Sequence, residues 1–240
     1  MSAGPAPRVV AMGGGGFSME PDNRLLDEFI LSLARSHPPR VCYLGTAGGD
    51  DPGYVARFYR AFVPLECRPV DLGLFDRTVG DLESFVLAQD VIYVGGGNTA
   101  SMLAVWRAHG LDRVLRRAWS EGVVMCGLSA GMNCWFEGSV TDSFGANRLA
   151  ALHDGLGLLP GTACPHYDGE PERRPTFTRL VAGGELDGGW AADDGAGLVF
   201  AGRELAEVVT SRPNARAFRV DRSADGGVSE RPLPTRYLGA

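Results

Sequence analysis

Long hydrophobic runs are missing from this 240-residue chain, and no apolar stretch reaches the roughly 20 residues of a membrane-spanning helix. No membrane association is therefore expected. The amino terminus, Met-Ser-Ala-Gly-Pro-Ala-Pro, lacks the basic and apolar regions of a secretory signal, so the expected location is cytoplasmic. Cysteine is scarce and unpaired in spacing. Cys42, Cys67, Cys126, Cys134 and Cys164 form no Cys-x-x-Cys pair and no His/Cys cluster, so neither a disulfide framework nor a metal site is expected. Basic clusters are also absent, and a net charge of −6 weighs against a nucleic-acid partner. The glycine run Gly13-Gly14-Gly15-Gly16 follows an apolar segment, but Ser18 stands where a dinucleotide fingerprint needs its third glycine. That excludes a dinucleotide cofactor at this loop, and nothing else in the chain calls for a cofactor.

What is present is ordinary in bulk, with 45% apolar and 22% charged residues. A chain of this length buries roughly 70–75% of the surface exposed on unfolding, so it needs no covalent staples. Apolar segments at 8–12, 41–44, 67–72, 91–94 and 123–126 read as strands, and segments at 23–36, 54–62, 99–108 and 112–121 as helices. Strands alternating with helices predict a mostly parallel sheet with helices on both faces, a three-layer α/β fold. After Gly155 the pattern shifts to short strands at 162–165, 189–192, 198–201, 204–210 and 215–220, which predicts antiparallel pairing toward the carboxyl terminus. One domain covering 1–240 is expected, with the polar residues from 223 to 240 as a loose tail. Homo-oligomerisation is left open.

Chemistry concentrates in two glycine-bearing loops. The run Val123-Val124-Met125-Cys126 ends in Gly127-Leu128-Ser129-Ala130-Gly131, the Gly-x-Ser-x-Gly pattern of a sharp strand-to-helix turn that projects a serine above a sheet. Such a turn also aims the N–H of Ala130 toward the place where an oxyanion would form. By itself the pentapeptide is equally an ordinary strand–glycine–helix connection. The run Val91-Ile92-Tyr93-Val94 empties into Gly95-Gly96-Gly97-Asn98-Thr99, whose backbone N–H groups are uncovered by side chains. Two such loops after two parallel strands are what one site at the carboxyl edge of a sheet requires.

A serine nucleophile needs a base, and the chain offers four histidines. His37 and His109 lie at expected helix ends and read as surface residues. His153 sits in a polar His-Asp-Gly turn. His166 closes the strand-like stretch Gly161-Thr162-Ala163-Cys164-Pro165 and is the better candidate. For an acid to orient it, Asp193 and Asp194 stand before Gly195 in what reads as a hairpin between 189–192 and 198–201. The chain order Ser, His, Asp differs from the standard α/β-hydrolase order.

Taken together, Gly95-Gly96-Gly97-Asn98-Thr99, Gly127-Leu128-Ser129-Ala130-Gly131, Pro165-His166-Tyr167 and an acid before Gly195 resemble the peptidase E (aspartyl dipeptidase) family of serine peptidases, whose fold is related to class I glutamine amidotransferases. The resemblance spans about two-thirds of the chain. It implies Ser129 as nucleophile, His166 as base, Asp194 as acid, and an oxyanion hole from the N–H groups of Gly97 and Ala130. Best-known members carry Glu at the acid position, so Asp193 stays an alternative. The resemblance further implies a short peptide with an N-terminal aspartate as substrate, its side chain held by Arg173; Arg174 reads as a solvated charge. Asp168, Glu170 and Glu172 could instead pair with the arginine or hold the substrate's ammonium group. Other readings are a related serine hydrolase acting on β-aspartyl or cyanophycin-type peptides, and a silent binding module of the same fold. Ser129 in place of cysteine disfavours an amidotransferase.

Overall fold

Strands apolar on both faces set the architecture of the computed structural model, which describes residues 6–145, 148–224 and 226–240. Along β1 (Arg8–Met12), Val9 and Ala11 enter one apolar cluster while Val10 and Met12 enter another. The same alternation divides Cys42 and Leu44 from Val41 and Tyr43 in β2 (Arg40–Leu44), and Ile92 and Val94 from Val91 and Tyr93 in β4 (Val91–Val94). Such strands need cover on both sides, which helices supply in a parallel sheet. With β3 (Arg68–Asp71) and β5 (Val124–Leu128) they form the parallel order β3-β2-β4-β5-β1.

Helices cover both faces. On one, α1 (Gly16–Met19), α2 (Leu25–Ser32) and α3 (Pro52–Phe62) bury Phe17, Leu26, Ile30, Phe58 and Phe62 against the sheet. On the other, α4 (Leu82–Leu87), α5 (Thr99–His109) and α6 (Leu111–Ser120) contribute Val86, Trp106 and Leu115. β10 (Ala196–Ala201) pairs antiparallel with β1, and β11 (Glu204–Thr210) and β14 (Arg236–Tyr237) extend the sheet to eight strands.

A second sheet packs on the α5 side. It comprises β6 (Phe136–Thr141), β7 (Ala150–Leu152), β8 (Leu159–Cys164), β9 (Gly189–Ala192), β12 (Ala217–Arg222) and β13 (Val228–Pro232), ordered β13-β12-β9-β8-β6-β7. Phe136, Leu159, Ala163, Ala192 and Ala217 point into the core shared with the large sheet, while Cys164, Ala191 and Val220 point outward. Phe177, Leu180 and Val181 of α8 (Arg173–Ala182) cover that outer face. The single turn α7 (Ala130–Asn133) joins β5 to β6.

Three sequence expectations are corrected. The segments around Asp193 and Asp194 do not form a hairpin: β9 joins the small sheet and β10 the large one, so the acidic turn is a crossing between sheets. The expected loose tail is paired over β13, with Glu230 opposite Val220, and Arg236 holds Glu207 at 2.8 Å. Its polar composition belongs to edge strands, which face water and carry charge. The helix expected to Ser36 ends at Ser32, where the N–H groups of Leu33 and Ala34 turn back to Ile30 and Leu31, both at 3.1 Å.

An ionisable group of α2 is enclosed by this packing. Asp27 of α2 is 2% exposed and accepts the Tyr93 hydroxyl at 3.1 Å. Burial pushes its carboxyl up to about 7 from an ordinary 3.8. The folded chain then holds a proton that the unfolded chain releases, so this group's stabilisation is full below the ordinary value and is lost as pH rises through about 7. In urea unfolding, wild type should lose stability relative to Asp27→Asn between pH 4.5 and 8. Parallel stability curves for the two proteins would exclude a protonated Asp27.

Candidate active site

Ser129 follows β5 with φ 56° and ψ −112°, a conformation non-glycine residues avoid. Such strain costs about 1–3 kcal/mol and persists only where surroundings over-determine it. Here they do. A Cβ on Gly127 would stand 2.7 Å from the Gly131 carbonyl oxygen, and one on Gly131 would stand 2.3 Å from that of Val94. The chain therefore closes around the serine at a distance only glycines allow. The Ser129 N–H donates to Met12 O at 3.2 Å, and its carbonyl accepts the Asn133 N–H at 3.0 Å. The hydroxyl is partly exposed and makes no hydrogen bond to another described residue.

The loop after β4 lies against it. A Cβ on Gly96 would come within 3.4 Å of the Ser129 Cβ. Gly97 has φ +136°, and a Cβ there would lie 2.2 Å from Ala47 O, so the loop is pressed onto the turn after β2. Among the described residues, the N–H groups of Gly97 and Ala130 donate to nothing. Both are free to accept a developing negative charge.

His166 stands two residues beyond β8 with φ 53° and is 9% exposed. Its Nδ1 lies 2.7 Å from Asp194 Oδ1. Burial alone would raise the Asp194 carboxyl, but the hydrogen bond and charge of His166, with the charge of Arg212, hold it below its ordinary value. An ionised carboxylate only accepts, so Nδ1 carries the proton of this contact, and in the neutral imidazole the lone pair then falls on Nε2. Ser129 and His166 are tied through their N–H groups to the adjacent residues Met12 and Gly13. That brings a partly exposed serine and a carboxylate-paired imidazole to one edge of the sheet, residue types that acyl transfer uses.

The glycine run after β1, unassigned from sequence, fastens this pair to the sheet. Gly13 O accepts the His166 N–H at 3.2 Å, and Gly14 O accepts the Gly195 N–H at 3.1 Å. A Cβ on Gly13 would stand 2.2 Å from Ala192 O, and one on Gly14 would stand 2.1 Å from Asp194 Oδ1. Asp168 completes the clasp by accepting the Asp194 N–H at 2.8 Å. The one advance signal was four consecutive glycines after a strand with no phosphate motif to explain them.

The remaining candidates separate cleanly. Asp193 turns away: its carboxylate accepts the Arg216 N–H at 2.9 Å, and burial together with the charge of Asp168 pushes it up to about 6. His153 is exposed, and His37 faces Glu66 at 3.3 Å. Arg173 is 3% exposed, with Nε donating to Glu170 at 2.7 Å and Nη1 to Val140 O at 3.0 Å. Val140 O also accepts from Asn133, which ties the arginine to the turn behind Ser129. Arg174 pairs with Glu230 and lies over the rings of Tyr167 and Phe218, apart from this group.

These features define a serine hydrolase of α/β type. The model of peptidase family S51 matches residues 9–208, and the chain belongs to that family of serine peptidases. It is 52% identical over 232 residues to the uncharacterized peptidase YgaJ of Bacillus subtilis (strain 168), a match covering 97% of this chain and 99% of that protein. Two solved structures share the fold. A peptidase from an acI-B1 Actinobacterium superposes with TM-score 0.71 at 17% identity, covering 96% of this chain and 95% of its own. A putative peptidase E protein from Listeria monocytogenes EGD-e gives TM-score 0.61 at 20% identity, covering 86% and 98%.

The geometry sets two expectations. Ser129→Gly should relieve the backbone and raise stability by about 1 kcal/mol, the strain relief outweighing glycine's entropy cost. Ser129→Ala keeps the Cβ and should leave stability near wild type; both should be inactive. Equal stability of all three in urea would show that the elbow is unstrained. Separately, Asp194→Asn should lower turnover by about 10⁴ through the wrong imidazole tautomer. Asp193→Asn should cost far less, and the reverse ranking would move the role to Asp193.

Proposed function

We propose that this serine peptidase is an exopeptidase that hydrolyses short peptides headed by aspartate through an acyl-enzyme on Ser129. The observation that carries the reading is the 2.7 Å contact of His166 Nδ1 with Asp194, which leaves Nε2 as a base at the sheet edge where Ser129 projects. Ser129 Oγ attacks the peptide carbonyl and gives its proton to His166 Nε2. The carbonyl oxygen becomes an oxyanion received by the Gly97 and Ala130 N–H groups. His166 then protonates the amine as the C–N bond breaks, and Asp194 stabilises the transient imidazolium. Water, deprotonated by His166, attacks the ester, and Ser129 leaves with that proton.

In this reading Arg173 holds the aspartate side chain through the donors left by Glu170 and Val140, since a guanidinium carries five. Its burial would make such a contact strong. The same burial, and its existing pair with Glu170, favour a second reading in which the arginine is already neutralised and the pocket takes another head residue. No helix among the described residues is long and apolar enough to cross a membrane. We further propose a cytoplasmic enzyme that acts on free peptides.

Measuring kcat/KM for Asp-, Asn- and Leu-headed dipeptides decides between the two readings. With Arg173 as clamp, Asn-headed substrates should lose the roughly 2–5 kcal/mol of a desolvated charge contact, about 30- to several-thousand-fold in rate. Arg173→Met should erase the preference while Ser129 still reacts with a small fluorophosphonate. A flat profile across the three substrates would overturn aspartyl specificity.

A further inference from the structure

Four successive N–H groups in the loop after β4 have unequal fates. Gly95 donates to Leu44 O at 3.0 Å, Gly96 to the Tyr54 hydroxyl at 3.3 Å, and Asn98 to Ala47 O at 2.8 Å. Gly97 alone is left without an acceptor among the described residues. Two of the three acceptors are backbone atoms at the end of β2 and in the turn after it. The third is a side-chain hydroxyl from a different element, α3.

Tyr54 is held from several sides. Its N–H donates to Asp51, the cap of α3, at 2.7 Å, and the Arg57 guanidinium lies 4.7 Å above its ring. The rings of Phe17 and Tyr43 pack against it at 5.8 and 5.6 Å. Its hydroxyl shares a second hydrogen bond with Ser18 Oγ at 2.6 Å. Ser18 lies in α1, directly after the glycine run that anchors His166 and Asp194. Tyr54 thus links the loop beside Ser129 to the loop beneath the base and acid.

We infer that Tyr54 is a positioning residue of the oxyanion site. By accepting the Gly96 N–H it fixes the Gly96–Gly97 peptide and leaves the Gly97 N–H as the donor for the tetrahedral intermediate. The inference rests on the acyl-transfer reading above. A group that acts only on the oxyanion supports the transition state and not the bound substrate, so its loss falls on kcat and not on KM.

The test compares Tyr54→Phe with Tyr59→Phe. Tyr59 lies on the same helix, and its hydroxyl donates to Asp71 at 2.7 Å, away from the β4 loop. Tyr54→Phe keeps the ring and should lower kcat about 10- to 100-fold, somewhat less than deleting an oxyanion donor outright. KM should stay within about twofold, and a peptide aldehyde that forms a hemiacetal on Ser129 should lose affinity in step with kcat. Tyr59→Phe should retain wild-type kinetics. A loss confined to KM, a Tyr54→Phe enzyme as active as wild type, or an equal loss in Tyr59→Phe would each overturn the inference alone. Wild-type protein inert toward fluorophosphonate and all peptides would overturn the peptidase chemistry at Ser129, and this inference with it.

Discussion

Close backbone approach at the carboxyl edge of the large sheet is the constraint on which the rest depends. Five glycines, at positions 13, 14, 97, 127 and 131, stand where a Cβ would come within 2.8 Å of a carbonyl or carboxylate oxygen. Each removes a side chain at a place where two loops or a strand and a turn must touch. The result is a serine, a histidine–aspartate pair and two free N–H groups gathered by backbone contacts and not by long side chains. Precision of this kind is cheap in unfolded-state terms for no residue, since glycine loses more chain entropy on folding than any other. It is sustained by the core beneath, where strands apolar on both faces are covered twice.

Electrostatics at the site are local. The carboxylates around the acidic turn have distinct partners: Asp168 takes a backbone N–H, Asp193 takes another, and Asp194 takes the imidazole. Glu20 lies behind them and holds Ser211 and Arg212, each at 2.6 Å. The hydrogen bond and charge of His166, with the charge of Arg212, hold Asp194 below its ordinary value against burial, while burial and the charge of Asp168 raise Asp193. Two adjacent aspartates thereby acquire opposite proton affinities, a difference no feature of their sequence neighbourhood displays.

Much of this was legible in the chain. The serine turn was marked by an apolar run and two flanking glycines, and His166 by its place at a strand end. The parallel strands were legible because burial on both faces removes polar alternation. Harder to read were elements whose residues serve two masters. β6, Phe-Glu-Gly-Ser-Val-Thr, is buried at every position but Glu137, so its polar residues disguise a strand that lies inside the fold. The hairpin expectation around Asp193 failed because a short Asp-Gly turn looks the same whether its strands pair with each other or with different sheets. Tyr54 gave no signal at all, since its role arises from a contact 42 residues away in the chain.

The crossing from β9 to β10 has a mechanical meaning. Ser129 rides on the large sheet, His166 on the small one, and Asp194 on the only stretch of β9–β10 chain that belongs to neither. In the proposed mechanism the spacing between Ser129 and His166 is therefore a gauge of how the two sheets sit on each other. Between them stand Phe136 and Phe200, with ring centroids 5.8 Å apart, and Trp190 5.5 Å from Phe200. A fraction of an ångström of slip at those rings would be delivered to the serine–imidazole gap before any helix or strand was lost. In this architecture, catalytic competence is a vernier reading of the inter-sheet core.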